Sequence, residues 1–422
     1  MREETDYIYG IPRFAGKAPL ENTAELIRRL GAECAGARII HVAGTNGKGS
    51  VCAFLDGVLR RAGFRVGMFT SPHLVRINER IAVDGAQVSD SEFEKSFARV
   101  RSVSEAMVSD GFAHPSFFEF LFGMAMDIFS SRGLDCIILE TGLGGRLDAT
   151  NIFERPSLTV ITSIGLDHTE YLGSTYAEIA SEKAGIIKAG VPVVFEKLRE
   201  DVTDVLTRRA AKLGAPVYVL EPSQIKDIRV QDKKIDFLLC NGYYCNERFT
   251  VRSAAEYQAE NASLAATAAA VFGITDKAAV KSGIASVFWK GRMQETDIGI
   301  TVDGAHNADG IRRFIESVGA DGAARRALLF SAVRDKHYAD MVSELCRSGL
   351  FAVFILARLE DARGLELETM QGCFERYTDC PVKAYADTGS ACNAAREYID
   401  AGFKVYSAGS LYLAGEILSG LE

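Results

Sequence analysis

At 422 residues the chain is longer than one hydrophobic core usually serves, so two or three domains are expected. Nearly half of it is apolar and a quarter charged, the composition of an ordinary soluble protein. A formal charge of −8 excludes the broad basic face that a nucleic-acid partner requires and leaves room only for a local anion pocket.

The N-terminus "MREETDYIYGIPRF" lacks the basic and apolar blocks of a signal peptide. The most apolar long stretch, "FFEFLFGMAMDIF", carries Glu119 and Asp127 and is too short for a membrane span. Nine cysteines, an odd number with no Cys-x-x-Cys pair, read as thiols in a reducing compartment. A cytoplasmic protein without membrane contact is expected.

In chain order, residues 21–32 form an amphipathic helix ending at a glycine, and "ARIIHVAG" is a compact apolar strand. A glycine-rich loop follows, then the helical "SVCAFLDGVLRRAG", stopped at Gly63. "RVGMFTSPH" is a strand, "DSEFEKSFARVRSVSEAM" an exposed helix and "PSFFEFLFGMAMDIFSSRG" a buried one. "LDCIILETG", "SLTVITSIG" and "VPVVFE" are further strands, and the alternation implies an open parallel sheet covered on both faces. From about residue 221 the texture turns β-rich, with Asn241-Gly242 as a tight hairpin turn. "NASLAATAAAVFG" restores helix, and a second α/β block begins near "IGITVDGAH", with a boundary around "FWKGRMQ".

The loop "HVAGTNGKGS" has the strand-loop-helix setting of a phosphate site but an unusual spelling: Gly49 separates Lys48 from Ser50. Gly44, Gly47 and Gly49 allow close approach of the backbone, whose N–H groups, with those of Thr45 and Asn46, can surround phosphate. Lys48 can neutralise a terminal phosphate and Ser50 can ligate Mg²⁺. By itself the loop is equally compatible with a plain tight turn.

Eight stretches then occur in order: "HVAGTNGKGS", "FTSPHL" with "INERI", "ETGLGGRLDATN", "GLDHTEYLG", "IASEKAGIIK", "NASLAATAA", "KGRMQ" and "DGAHN". Together they resemble the folylpolyglutamate synthase and dihydrofolate synthase family of the Mur ligase superfamily, over nearly the whole chain. The resemblance implies a phosphate-loop ATPase-type α/β domain, residues 1–288, with a mostly parallel sheet and a small β-rich region. A linker, 289–294, and a smaller Rossmann-like α/β domain, 295–422, would follow. It also implies an ATP-dependent ligase joining a folate carboxylate to the amine of L-glutamate, through an acyl phosphate.

Residue by residue, the resemblance makes Ser50 and Glu140 ligands of one magnesium and His168 a ligand of a second. Lys183 corresponds to a lysine that is commonly N-carboxylated. Asn261 would meet the adenine, Arg292 the ATP phosphates, and Asp303 and His306 would supply the second half of the site. Lys48, Lys183, Arg292 and His306 are the expected catalytic residues. His306 and Ser410 are placed near glutamate; His73, Arg80, Phe118, Asp148 and Ala149 are placed near folate. Two departures stand out: Tyr257-Gln258 where the family often has His-Gln, and Lys290 where a proline usually precedes the glycine. A monomer is expected, accepting dihydropteroate, tetrahydrofolate or both.

Two other readings compete. A cell-wall Mur ligase would carry a UDP-binding domain before the loop, and 43 residues before Gly44 are few for one. A nucleotide switch without ligation would explain the loop but not Asp303 and His306.

Overall fold

The computed structural model describes residues 1–12, 20–197, 199–361 and 363–420. Its first sheet is built from β1 (Arg38–Ala43), β2 (Val66–Phe69), β3 (Ile81–Val83), β4 (Ala86–Gln87), β5 (Cys136–Glu140), β6 (Leu158–Ile161), β7 (Val193–Glu196) and β8 (Val217–Leu220). The order is β4-β3-β2-β5-β1-β6-β7-β8. Strands β2, β5, β1, β6, β7 and β8 run parallel, while β3 and β4 add an antiparallel edge. Strand β1 has five successive buried residues, Ile39 to Ala43, because helices cover both faces.

One face packs against the helices Lys48–Arg61 and Gln258–Phe272, through Phe54, Leu55, Ala262 and Ala266. The alanines of the second helix leave room for close helix–sheet contact. Helix Phe117–Ser130 closes the other face with Phe120, Phe122 and Met124. It is the apolar stretch of the sequence, and no helix among the described residues is long and apolar enough to cross a membrane.

Strands β9 (Ile225–Gln231), β10 (Lys234–Leu239) and β11 (Glu247–Val251) form an antiparallel sheet. The tight turn is not at Asn241-Gly242. It lies at Asp232-Lys233, where both residues take positive φ, 52° and 59°, as a primed two-residue hairpin requires. The β10–β11 connection is wider because Tyr244 turns inward and donates its hydroxyl to the Ala266 carbonyl at 3.1 Å. Asn241 closes this loop by accepting from the amides of Tyr243 and Tyr244.

The third sheet contains β12 (Gln294–Glu295), β13 (Ile300–Val302), β14 (Arg326–Phe330), β15 (Val353–Ala357), β16 (Val382–Tyr385) and β17 (Lys404–Ala408). Its order is β12-β13-β17-β14-β15-β16, all parallel except β12. The C-terminal ends of β1, β5 and β6 and of β13, β14 and β17 contribute residues to one cleft. Loops at strand carboxyl ends are where open α/β sheets hold ligands.

Candidate active site

The cleft holds a cavity of about 650 Å³. Gly44 to Ser50, Glu140, His168, Lys183, Asn261, Arg292, Asp303, His306 and Ser410 all line it.

Gly47 adopts φ of +84° at the start of helix Lys48–Arg61, and no side chain caps that helix. Its first amides therefore remain available to an anion. A side chain between Lys48 and Ser50 would have little room. A Cβ on Gly49 would come within 3.0 to 3.3 Å of three atoms of the Trp289 indole. Any larger residue between Lys48 and Ser50 would push on the linker.

Lys48 Nζ donates to the Thr45 carbonyl at 3.2 Å and lies 3.8 Å from Glu140 Oε1. Glu140 ends β5 and is buried, and its other oxygen accepts from the Ser71 amide at 3.0 Å. Burial raises its pKa, and Lys48 opposes the rise. Ser50 Oγ accepts from Gln258 Nε2 at 3.0 Å and keeps a lone pair. Among the described residues no cluster of three or more His, Cys, Asp or Glu could hold a metal. Ser50 and Glu140 nevertheless fit one Mg²⁺, which takes few protein oxygens and completes its shell with phosphate and water.

Lys183 ends helix Tyr176–Lys183, is buried, and donates from Nζ to the Gly44 carbonyl at 2.7 Å. Desolvation, reinforced by the charge of Lys48, lowers its pKa to about 7. A neutral amine, the form that reacts with carbon dioxide, is thus accessible near neutrality.

Opposite the loop, Asn46 and Asn307 exchange amide hydrogen bonds of 3.1 and 3.0 Å. Asn307 also caps helix Ala308–Gly319 and donates to Asp167 Oδ2 at 3.1 Å. Asp167 pairs with Lys336 Nζ, and His306 Nε2 lies 3.7 Å away. Burial opposes ionisation of Asp167, but Lys336, His306 and His168 outweigh it and hold the carboxyl well below the usual range. Burial, then Lys336, lowers both His168 and His306 to about 4, so both are neutral at pH 7. His168 Nε2 faces Lys336 Nζ at 3.1 Å. A cation on His168 would compete with that ammonium.

Asp303 accepts from Tyr257 Oη at 2.7 Å, the Met293 amide at 3.0 Å and the Ala305 amide at 2.8 Å. Ser410 caps helix Leu411–Ser419, its Oγ accepting from the Tyr412 amide.

His73, Arg80, Phe118, Asp148 and Ala149, the expected folate residues, do not line this cavity, although Ser71, Pro72 and Gly142 to Gly144 close to them in sequence do. His73 lies between Tyr9 Oη at 3.0 Å and Arg80 Nε at 2.9 Å, and the Arg80 guanidinium sits over the Phe117 ring. Phe118 packs on Phe69 and against Gly142. Asp148 accepts from the amides of Leu143 and Thr150 and from the Thr150 hydroxyl, while Ala149 is buried in the turn it begins. Sequence reading missed Asp167, Asn307 and Lys336, and met Tyr257-Gln258 only as a departure from the family pattern. The first two sit inside quoted motifs, whereas Lys336 in "AVRDKH" carries no local signal.

No family model matches the chain. A dihydrofolate synthase/folylpolyglutamate synthase of Bacillus subtilis is 36% identical over 355 residues, 82% of this chain and 82% of that protein. The chain belongs to the dihydrofolate synthase/folylpolyglutamate synthase family. It is an ATP-dependent ligase of that type. Solved structures of the family superpose over almost its whole length. A Mycobacterium tuberculosis folylpolyglutamate synthase complexed with ADP and AMPPCP matches with TM-score 0.89 and 27% identity, covering 96% of this chain and 95% of that one. E. coli FolC in complex with DHPP and ADP matches with TM-score 0.83 and 28% identity, covering 98% and 96%.

Proposed function

We propose that this ligase binds ATP in the cleft, activates a folate carboxylate as an acyl phosphate and passes it to the amine of L-glutamate. It acts on both dihydropteroate and tetrahydrofolates. The observation that carries the reading is the convergence of Lys48, Glu140, Lys183, Arg292, Asp303 and His306 on one cavity. The solved relatives with ADP, AMPPCP and DHPP support the ligand classes.

A carboxylate is a poor acylating agent because oxide cannot leave; phosphate can. The site must therefore gather several anions, align them and neutralise their charge. In this reading residues 44–50 surround the ATP phosphates, with Lys48 and Arg292 supplying positive charge. Asn261 contacts the adenine, and Asp303 the nucleotide from the opposite side. Ser50 and Glu140 would hold a magnesium ion, which would supply charge neutralisation at the phosphates. His168 would serve a second ion in place of its contact with Lys336. Lys183 is N-carboxylated, its depressed basicity supplying the reactive amine.

His306, neutral at pH 7, and Ser410 border the glutamate region. His73, Arg80, Phe118, Asp148 and Ala149 border the folate. The chain divides at 289–294, between residues 1–288 and 295–422, and closure of the two parts would exclude water. A cytoplasmic monomer is part of the proposal, with nine unpaired cysteines as a reducing compartment would leave them.

The test is an assay pairing dihydropteroate and tetrahydrofolate, each with labelled glutamate, while ADP release is followed. Glutamate incorporation with both acceptors is expected. ADP release that ignores both folate and glutamate would overturn the proposal, and incorporation with one acceptor alone would overturn its two-substrate part.

A further inference from the structure

We infer that Tyr257 is a positioning residue: its hydroxyl fixes the Asp303 carboxylate and, through it, the linker that presents Arg292 to the nucleotide. The inference rests on reading the cavity as an ATP site.

Tyr257 immediately precedes helix Gln258–Phe272, and the first turn of that helix reaches in two directions. Gln258 Nε2 donates to Ser50 Oγ of the phosphate loop at 3.0 Å, and Asn261 Nδ2 donates back to Gln258 Oε1 at 3.0 Å. Tyr257 instead reaches the end of β13, where its hydroxyl donates to Asp303 Oδ2 at 2.7 Å. The same Oδ2 accepts the amide of Met293, next to Arg292, and Oδ1 accepts the amide of Ala305, next to His306. Asp303 is buried, so each donor matters to a charge that water reaches poorly.

Two of these donors are backbone groups beside the carboxylate's own strand and the linker; the third comes from across the cleft. The linker is held tightly around this point. The Gly304 amide donates to the Gly291 carbonyl at 2.8 Å, and Arg292 Nη1 donates to the same oxygen at 2.9 Å. A Cβ on Gly304 would meet Arg292 Nη1 at 2.4 Å. A rotation of Asp303 would release the Met293 amide and so loosen the linker next to Arg292. Burial and the charge of Asp303 push the Tyr257 phenol well above its usual pKa of 10.0, so it remains a donor at every working pH.

Tyr257→Phe keeps the ring and removes only the hydroxyl. Hydrogen bonds to charged groups contribute enough that about a tenfold loss of ADP affinity is expected, read by calorimetric titration without folate or glutamate. KM for ATP should rise by a similar factor, with KM for glutamate within about twofold of wild type. The melting temperature should stay within about 2 °C. Adding Tyr257→Phe to Asp303→Asn should cost little more than Asp303→Asn alone. ADP affinity unchanged in Tyr257→Phe, loss that only follows a fall in melting temperature, or full additivity with Asp303→Asn would each overturn the inference. Failure of the wild-type chain to bind ADP would instead overturn the ATP reading beneath it.

Discussion

Lys183 Nζ donates across 2.7 Å to the carbonyl of Gly44, so a buried lysine touches the first residue of the phosphate loop. The two residues lie 139 positions apart and meet because β1 and β6 are neighbours, with helix Tyr176–Lys183 following β6. If Lys183 works as a carbamate, Lys183→Ala should lower kcat at least about a hundredfold, as expected for loss of a group at the reacting centre. Short-chain carboxylic acids at high concentration should restore part of it by supplying the missing anion. An inactive variant that acetate and propionate never rescue would argue for an ordinary structural lysine.

The same lysine makes stability depend on pH. Its folded-state pKa, about 7, lies below the ordinary 10.5. Between those values the unfolded chain binds the proton and the folded chain does not, so stability rises with pH across that window. Below about 7 both forms are protonated and the full penalty of burying the charge remains. Lys183→Met should therefore be stabilised most relative to wild type at pH 6 to 7, with the gap shrinking toward pH 10. Urea unfolding in bicarbonate-free buffer measures it. A gap that widens with rising pH contradicts the argument.

The legible parts of the molecule were those specified locally. The strand-loop-helix around Gly44 to Ser50 follows from an apolar run, three glycines and a 3.6-residue period, and it folds as read. Asn241-Gly242 misled because a tertiary demand, burial of Tyr244, overrode local turn preference. In the cleft, residues carried by long motifs came together. Lys336 was invisible because only the juxtaposition of β14's following loop with Asp167, 169 positions away, gives it a partner. Trp289 likewise reads in sequence only as part of the 289–294 linker, yet its indole crowds any side chain at Gly49.

That contact yields a prediction about the loop. Gly49→Ala places a methyl group about 3 Å from the Trp289 ring, and overpacking of this kind typically costs about 1–3 kcal/mol. Since Trp289 is the single tryptophan, its fluorescence reports the displacement directly. The variant should show a shifted emission maximum and a raised KM for ATP. The pair Gly49→Ala with Trp289→Phe should recover part of the loss, because the smaller ring vacates the contact. Unchanged emission and KM in Gly49→Ala would mean that the indole yields freely.

Lys336 and Asp167 test the electrostatics of the cleft. Both are largely buried, and the ammonium sits against a carboxylate that also accepts from Asn307 and from the His168 backbone amide. Lys336→Met leaves that carboxylate without its nearest cation, and removing one partner of a buried pair costs about 3–5 kcal/mol. The same ammonium helps burial hold His168 and His306 near pKa 4. Without it, their imidazoles beside Asp167 should gain protons more readily, and their folded-state pKa values should rise. A group whose folded-state pKa rises adds stability as pH falls through that value. The stability difference between wild type and Lys336→Met should therefore be greatest near pH 8 and narrow toward pH 5. Denaturant unfolding across that range, with histidine titration by NMR, checks both parts. A difference that stays constant, with both imidazoles still titrating near 4, would show that Lys336 does not govern this cluster.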